Sequence, residues 1–363
     1  MRNFLKSNIS NIFIMLGHEC NLQCKYCLQH DVVNVALDKK INPDIYYFIN
    51  DVARSQENRV GLQFYGGEPL VFFDKIKEFI NGLREHNVPN NVYCTMITNG
   101  KLLDEEKVKY INQNFSHVTV SWDGRNSIKT RGYDIVKENK ENIFKLKSFN
   151  FSGVLSSYNY IKDYLEDCEQ VNRDYVENYH GRTLYFNVDD LLDVNMQNQD
   201  LKDIDLDMVA IQMNELCEEY YKFVIQHQPI SVIRKRYIEE KINFLRSSVK
   251  SKQYQPIRDR CGNGCEVLNM DLSGNLYKCH NTDDKLGTIY DNYFDYMKKV
   301  FELDKVNENS KRCNECPVQL MCRNGCPLVG KEAREGYYCN MIVFMNYPII
   351  KLVEKLGGEI DVN

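Results

Sequence analysis

The chain has 363 residues, enough for two domains or for one barrel with an extension, and 43% of them are apolar, enough for a sizeable core. A net charge of −5 argues against nucleic acid or an anionic membrane surface as the main partner. No apolar run reaches transmembrane length, and Ile12–Leu16 is too short for a signal peptide, so a cytoplasmic location is expected.

In chain order, β-like runs fall at Asn11–Leu16, Val60–Tyr65, Asn91–Ile97, Val118–Trp122, Phe151–Ser156 and Leu184–Val188. Helical runs lie between them near Pro43–Arg54, Asp74–Glu85, Asp104–Asn114, Ile135–Lys147 and Asn159–Gln170. This alternation predicts an α/β fold, a parallel sheet covered by helices. Six strands are too few to close an eight-stranded barrel, so an open partial barrel is expected. Leu206–Ser248 is helical, and its Arg234-Lys235-Arg236 run reads as a solvated helix face. The acidic stretch Asp189–Asp207 reads as loop and helix cap. Arg258–Asn340 reads as loop-like, folding around metals rather than on a large apolar core. A final helix is predicted over Met341–Lys355.

The chain holds fourteen cysteines. In a reducing compartment they are not expected to pair as disulfides. Three lie in CNLQCKYC (Cys20, Cys24 and Cys27), and eight more between Cys261 and Cys339. Cys94, Cys168 and Cys217 sit in strand or helix patterns and read as buried apolar residues. Three clustered thiolates can hold three irons of a 4Fe–4S cube and leave the fourth iron open to a ligand.

The spacing C-x3-C-x-Tyr-C at Cys20, Cys24, Tyr26 and Cys27 resembles the signature of the radical S-adenosylmethionine (SAM) superfamily. The resemblance implies a partial (β/α)6 barrel, a SAM-binding 4Fe–4S cluster on those three thiols, and Tyr26 beside the adenine. After the second strand, Gly66-Gly67-Glu68-Pro69 matches the family segment that grips the SAM amino group. Two glycines there let a backbone approach a ligand, and Glu68 could pair with an ammonium; an ordinary turn is the plainer reading. Thr98, Asn99, Ser121, Asp123 and Ser156, at later strand ends, stand where the resemblance places contacts to the ribose and carboxylate. Asn99 and Asp123 also read as turn residues before Gly100 and Gly124.

Cys313, Cys316, Cys322 and Cys326 are spaced C-x2-C-x5-C-x3-C, with Cys261 and Gly274-x4-Cys279 upstream and Cys339 downstream. This layout resembles the SPASM extension. The resemblance implies two auxiliary 4Fe–4S clusters, one on Cys261, Cys265, Cys279 and Cys326, the other on Cys313, Cys316, Cys322 and Cys339. Two zinc sites are the competing reading of such thiols. The expected division is 1–205 barrel, 206–257 helical connector, 258–340 SPASM domain and 341–363 terminal helix.

The resemblance implies an oxidoreductase, a peptide or protein maturase. It would abstract a hydrogen from a side chain through a 5′-deoxyadenosyl radical, completing an oxidation or a thioether or C–C crosslink. A SPASM dehydrogenase of a small alcohol or sugar, and a non-enzymatic zinc- or cluster-binding protein, remain open. His280 stands where sulfatase-maturating enzymes place an aspartate base. That departure counts against formylglycine formation and leaves His280 as a candidate base or a cluster-side histidine. Expected partners are a peptide or protein substrate, an electron donor such as flavodoxin or ferredoxin, and a separate leader-peptide recognition protein. With Cys20 so early, a fused recognition domain before it is not expected.

Overall fold

The computed structural model describes residues 8–29, 40–55, 58–179, 181–192, 203–252, 266–304, 313, 315–326 and 328–357. Six strands follow in the expected order: β1 (Asn11–Met15), β2 (Val60–Tyr65), β3 (Val92–Thr98), β4 (His117–Ser121), β5 (Phe149–Val154) and β6 (Tyr185–Asp189). Between them run α1 (Asp44–Arg54), α2 (Phe73–Glu85), α3 (Glu105–Asn114), α4 (Ser127–Arg131), α5 (Ile135–Ile143) and α6 (Ile161–Tyr179). α5 stops before the expected Lys147. Asn139 leaves the helical region at φ −147° and donates instead to the carbonyls of Gly100 and Leu103. The expected helical stretch 206–248 holds two helices, α7 (Leu206–Gln226) and α8 (Val232–Lys252), and Asp205 caps α7 by accepting from Met208 N.

The chain forms two compact units. The first comprises Met1–Trp122, Ile135–Asn150 and Cys261–Val306; the second comprises Asp123–Asp134, Phe151–Arg260 and Asn307–Asn363. In the first, β1, β2, β3 and β4 pair in parallel. Ile12, Ile14, Val60, Leu62 and Phe64 are fully buried in its sheet. α1 contributes Ile45, Ile49 and Val52 and α2 contributes Ile76, Phe79 and Ile80, one apolar stripe per helix. Parallel strands joined by helices deliver all their carboxyl ends to one edge. In the second unit β5 and β6 are neighbours, and α6, α7 and α8 pack together.

Three expectations are corrected. The stretch after Arg258 is not simply loop: it contains β7 (Val267–Asp271), β8 (Asn275–Tyr277), β9 (Lys285–Thr288) and α9 (Tyr293–Asp304). β7 lies parallel to β1, β8 and β9 follow antiparallel, and Leu268, Met270 and Leu276 are fully buried. Apolar burial therefore holds this half of the extension as well as any metal. The units also do not follow the boundaries at 205, 257 and 340, because the extension is divided between them. Finally, Arg234 is no solvated residue. It is bonded to Glu169 at 2.8 Å and Glu219 at 2.9 Å, joining α6, α7 and α8, while Arg236 lies over Tyr185 and donates to Leu184 O. Among the described residues no helix is long and apolar enough to cross a membrane.

Candidate functional site

The register pairs Met15 with Tyr65 on β2 and with Asp271 on β7, so the segments that follow β1 and β2 leave the sheet side by side. The first runs Gly17–Cys27, the second is Gly66-Gly67-Glu68-Pro69. Gly67 N donates to Gly17 O at 2.9 Å and Glu68 N to Glu19 O at 3.0 Å. A Cβ on Gly66, whose φ is +150°, would lie 2.3 Å from Gly17 O; one on Gly67 would lie 2.3 Å from both His18 O and Glu19 O. The close approach that needs the glycines is therefore to the strand of chain entering the cysteine motif. Pro69 opens the short turn Pro69–Phe72, which Glu68 caps.

Glu68 is likewise turned inward. It is 1% exposed, and Oε1 accepts from Leu70 N at 3.0 Å and Thr98 Oγ1 at 2.6 Å, Oε2 from Asn99 N at 2.7 Å. Three of the roughly four acceptor positions of a carboxylate are thus filled by the protein, where the sequence suggested an ammonium partner. Burial raises its pKa, opposed by those three donors. Asn99 completes the link: its Nδ2 donates to Asn21 Oδ1 at 2.8 Å and lies 3.9 Å from Cys20 Sγ. Glu68, Thr98 and Asn99 so form one bonded unit tying the ends of β2 and β3 to the cysteine loop.

The remaining SAM-contact candidates are less uniform. Tyr26 is 8% exposed. Ser121 closes β4 and is half-buried. Asp123 and Ser156 are fully buried in the second unit and bonded there to protein groups. Asp123 accepts from Val154 N at 2.9 Å, Thr130 Oγ1 at 2.6 Å and Arg131 Nε at 3.1 Å. Ser156 forms a small turn with Asn159. The buried cation Arg131 was not legible in the sequence, since nothing in RNSIKTRG marks it as the partner of Asp123.

His280 is ringed by residues that carried no motif. Its imidazole stacks on Phe13 at 4.3 Å and meets the edge of Tyr65 at 4.4 Å. Asn269 Nδ2 donates to Lys278 O, which leaves Asn269 Oδ1 to accept from His280 Nδ1–H at 3.0 Å. Gln29 donates to the His280 carbonyl, and Tyr65 OH to Asn281. Loss of hydration lowers the imidazole to about 4, so it is neutral at pH 7.

The donor set around the first thiols fits an anionic cluster. Cys20 Sγ accepts from Leu22 N at 3.4 Å. Asn21 Nδ2 is buried with no partner, its Oδ1 being held by Asn99, so an N–H beside Cys20 waits for an acceptor. Cys20 is exposed and Cys24 and Cys27 half-buried. Among the described residues no three His, Cys, Asp or Glu side chains converge as on one metal ion. Cys279 Sγ accepts from Asn281 N at 3.4 Å. Cys313, Cys316, Cys322, Cys326 and Cys339 all belong to the second unit, while Cys261 and Cys265 lie outside the described residues. Cys94, Cys168 and Cys217 are buried, as expected.

The chain is 24% identical over 349 residues to the cysteine-type anaerobic sulfatase-maturating enzyme of Clostridium novyi, covering 88% of each. Its fold matches native anSMEcpe with bound AdoMet and Cp18Cys peptide at a TM-score of 0.63 and 21% identity, over 95% of this chain and 99% of the other. It also matches Streptococcus suis SuiB bound to precursor peptide SuiA at a TM-score of 0.57 and 14% identity, over 89% and 72%. Residues 14–175 match the radical SAM superfamily, which implies SAM and a 4Fe–4S cluster for that segment, and the chain has the fold of these solved enzymes over most of its length.

Proposed function

We propose that this chain removes a hydrogen atom from a side chain of a peptide or protein and completes a two-electron oxidation or crosslink, using two auxiliary 4Fe–4S clusters beside the first. One observation carries the reading: a three-thiol loop is fastened by Gly67, Glu68 and Asn99 to the carboxyl ends of two parallel strands, with an unpartnered amide donor at Asn21. The relatives' names, and the peptides in two solved relatives, support the substrate class.

Cys20, Cys24 and Cys27 would hold the first cluster. That cluster with SAM supplies a 5′-deoxyadenosyl radical when both are bound. The chain's own part is placement. Glu68, Thr98 and Asn99 tie the loop to the strand ends, and Gly66–Pro69, Tyr26 and Ser121 are the residues that would hold SAM. Asp123 and Ser156 would serve their own unit, by holding the backbone at Val154 and the Ser156–Asn159 turn. His280 offers Nε2 as the proton acceptor, since Nδ1 is committed to Asn269. Loss of two hydrogens would balance as one hydrogen atom to the 5′-deoxyadenosyl radical, giving 5′-deoxyadenosine, one proton to a base and one electron to a cluster that Cys261, Cys265, Cys279 and Cys313–Cys339 would hold. A flavodoxin or ferredoxin would supply the starting electron.

Anaerobic reconstitution should give about twelve irons and twelve sulfides per chain, and Cys20, Cys24 and Cys27 together changed to Ala should remove about four. Co-expression with short neighbouring reading frames, read by mass spectrometry, should reveal one peptide lighter by two hydrogens. Turnover of a free alcohol or sugar, with no peptide altered, would establish the small-molecule dehydrogenase instead. Stoichiometric zinc without iron would remove the enzymatic reading altogether.

A further inference from the structure

Between Cys322 and Cys326 three successive residues are left-handed: Arg323 at φ 50°, Asn324 at φ 63° and Gly325 at φ 70°. Gly325 adopts this freely, but Arg323 and Asn324 must be held there. One side chain supplies most of the hold. Arg334 Nη1 donates to Asn324 O at 2.7 Å, Nη2 to Cys326 O at 2.5 Å and Nε to Val329 O at 2.8 Å. A planar guanidinium suits such a task, because its donors form a rigid fork. Tyr338 adds a second hold: its hydroxyl accepts from Cys326 N at 3.3 Å and lies 3.1 Å from where a Gly325 Cβ would stand. Arg323 is anchored separately, over the Phe244 ring and on Ser248 Oγ.

Arg334 also opens the wide π-helical turn Arg334–Tyr338, which ends at Cys339, first residue of the helix Cys339–Lys355. One residue therefore ties together the segments carrying Cys322, Cys326 and Cys339. Every bond involved is between protein atoms.

We propose that Arg334 is a positioning residue for the auxiliary iron–sulfur sites: it clamps the left-handed turn so that Cys322 and Cys326, which the SPASM resemblance assigns to different clusters, are presented before the clusters assemble. This rests on the auxiliary-cluster reading of Cys261–Cys339. Ligands already in place lose less freedom when the metal arrives, and supporting residues of this kind govern how firmly metal is kept.

The test uses the full chain, reconstituted without oxygen, carrying Arg334→Lys or Arg334→Gln. Lysine keeps the charge but cannot span three carbonyls. Both variants should keep four irons on the Cys20–Cys27 site, yet lose the auxiliary irons to a chelator about tenfold faster than the unaltered chain. Their auxiliary-cluster EPR signals should also change in shape, while circular dichroism of the iron-free chain stays the same. Should both variants fail to fold, Tyr338→Phe removes the second hold alone and should show a smaller loss in the same direction. Folded variants with unaltered EPR signals and iron retention overturn the proposal. If the unaltered chain itself holds only about four irons, the auxiliary reading fails, and this proposal with it, before any substitution is made.

Discussion

Gly67→Ala isolates the role of the Gly-Gly-Glu-Pro segment. A Cβ at Gly67 would stand 2.3 Å from two backbone oxygens, His18 O and Glu19 O, about 1 Å inside the 3.4 Å at which ordinary contact begins. Backbone cannot swing aside like a side-chain tip, so the chain entering Cys20 must retreat. That retreat stretches Gly67 N–Gly17 O and Glu68 N–Glu19 O, two hydrogen bonds now at 2.9 and 3.0 Å. Each contributes about 1 kcal/mol net, and a buried group left unpaired costs about 1–3 kcal/mol, so a loss of roughly 2–4 kcal/mol is expected. Urea unfolding of the iron-free chain measures it. In reconstituted protein the same change should lower iron on the Cys20–Cys27 site and abolish most SAM cleavage, leaving the other irons in place. Gly330→Ala is the control: nothing lies within 4 Å of its Cβ, and it should be silent. Gly67→Ala with unaltered stability and full SAM cleavage would refute the reasoning.

Glu68→Gln turns an amide N–H toward a donor now satisfied by the carboxylate, and should destabilise the chain by about 1.5–3 kcal/mol and weaken SAM binding without contact between Glu68 and SAM. Because burial raises the folded pKa of Glu68 above its ordinary 4.5, its contribution is complete below 4.5 and is lost as pH rises through the folded value. Urea midpoints should show that slope in the unaltered chain and a shallower one in Glu68→Gln; parallel slopes would place the titration elsewhere. Cys322→Ala should leave part of the SAM cleavage and lose product, since the second electron has no exit; full product yield would deny the auxiliary thiols a redox role. Burial pushes the Cys94 and Cys217 thiols up to about 12, and that of Cys168 well up too. All three should therefore resist alkylation of the folded chain from pH 7 to pH 9, as peptide mapping would reveal.

The order of strands and helices through β6, and the spacing of the thiols, were legible in the chain because both are local: apolar periodicity sets each element, and the gaps between cysteines are read directly from the sequence. The fold of β7–β9 was not, since its short strands become stable only beside β1, some 250 residues away in sequence. The same limit applies to single residues. Gly66, Gly67 and Glu68 were recognisable as a motif, but a residue type does not name its neighbour. Only the packed chain decided that the glycines make room for Gly17–Glu19 and that the carboxylate serves Leu70, Thr98 and Asn99. Arg131, Asn269 and Arg334 carried no pattern at all. Their roles arise from burial beside Asp123, His280 and the Cys322–Cys326 turn, where an unpaired polar group is costly and each bond made is strong.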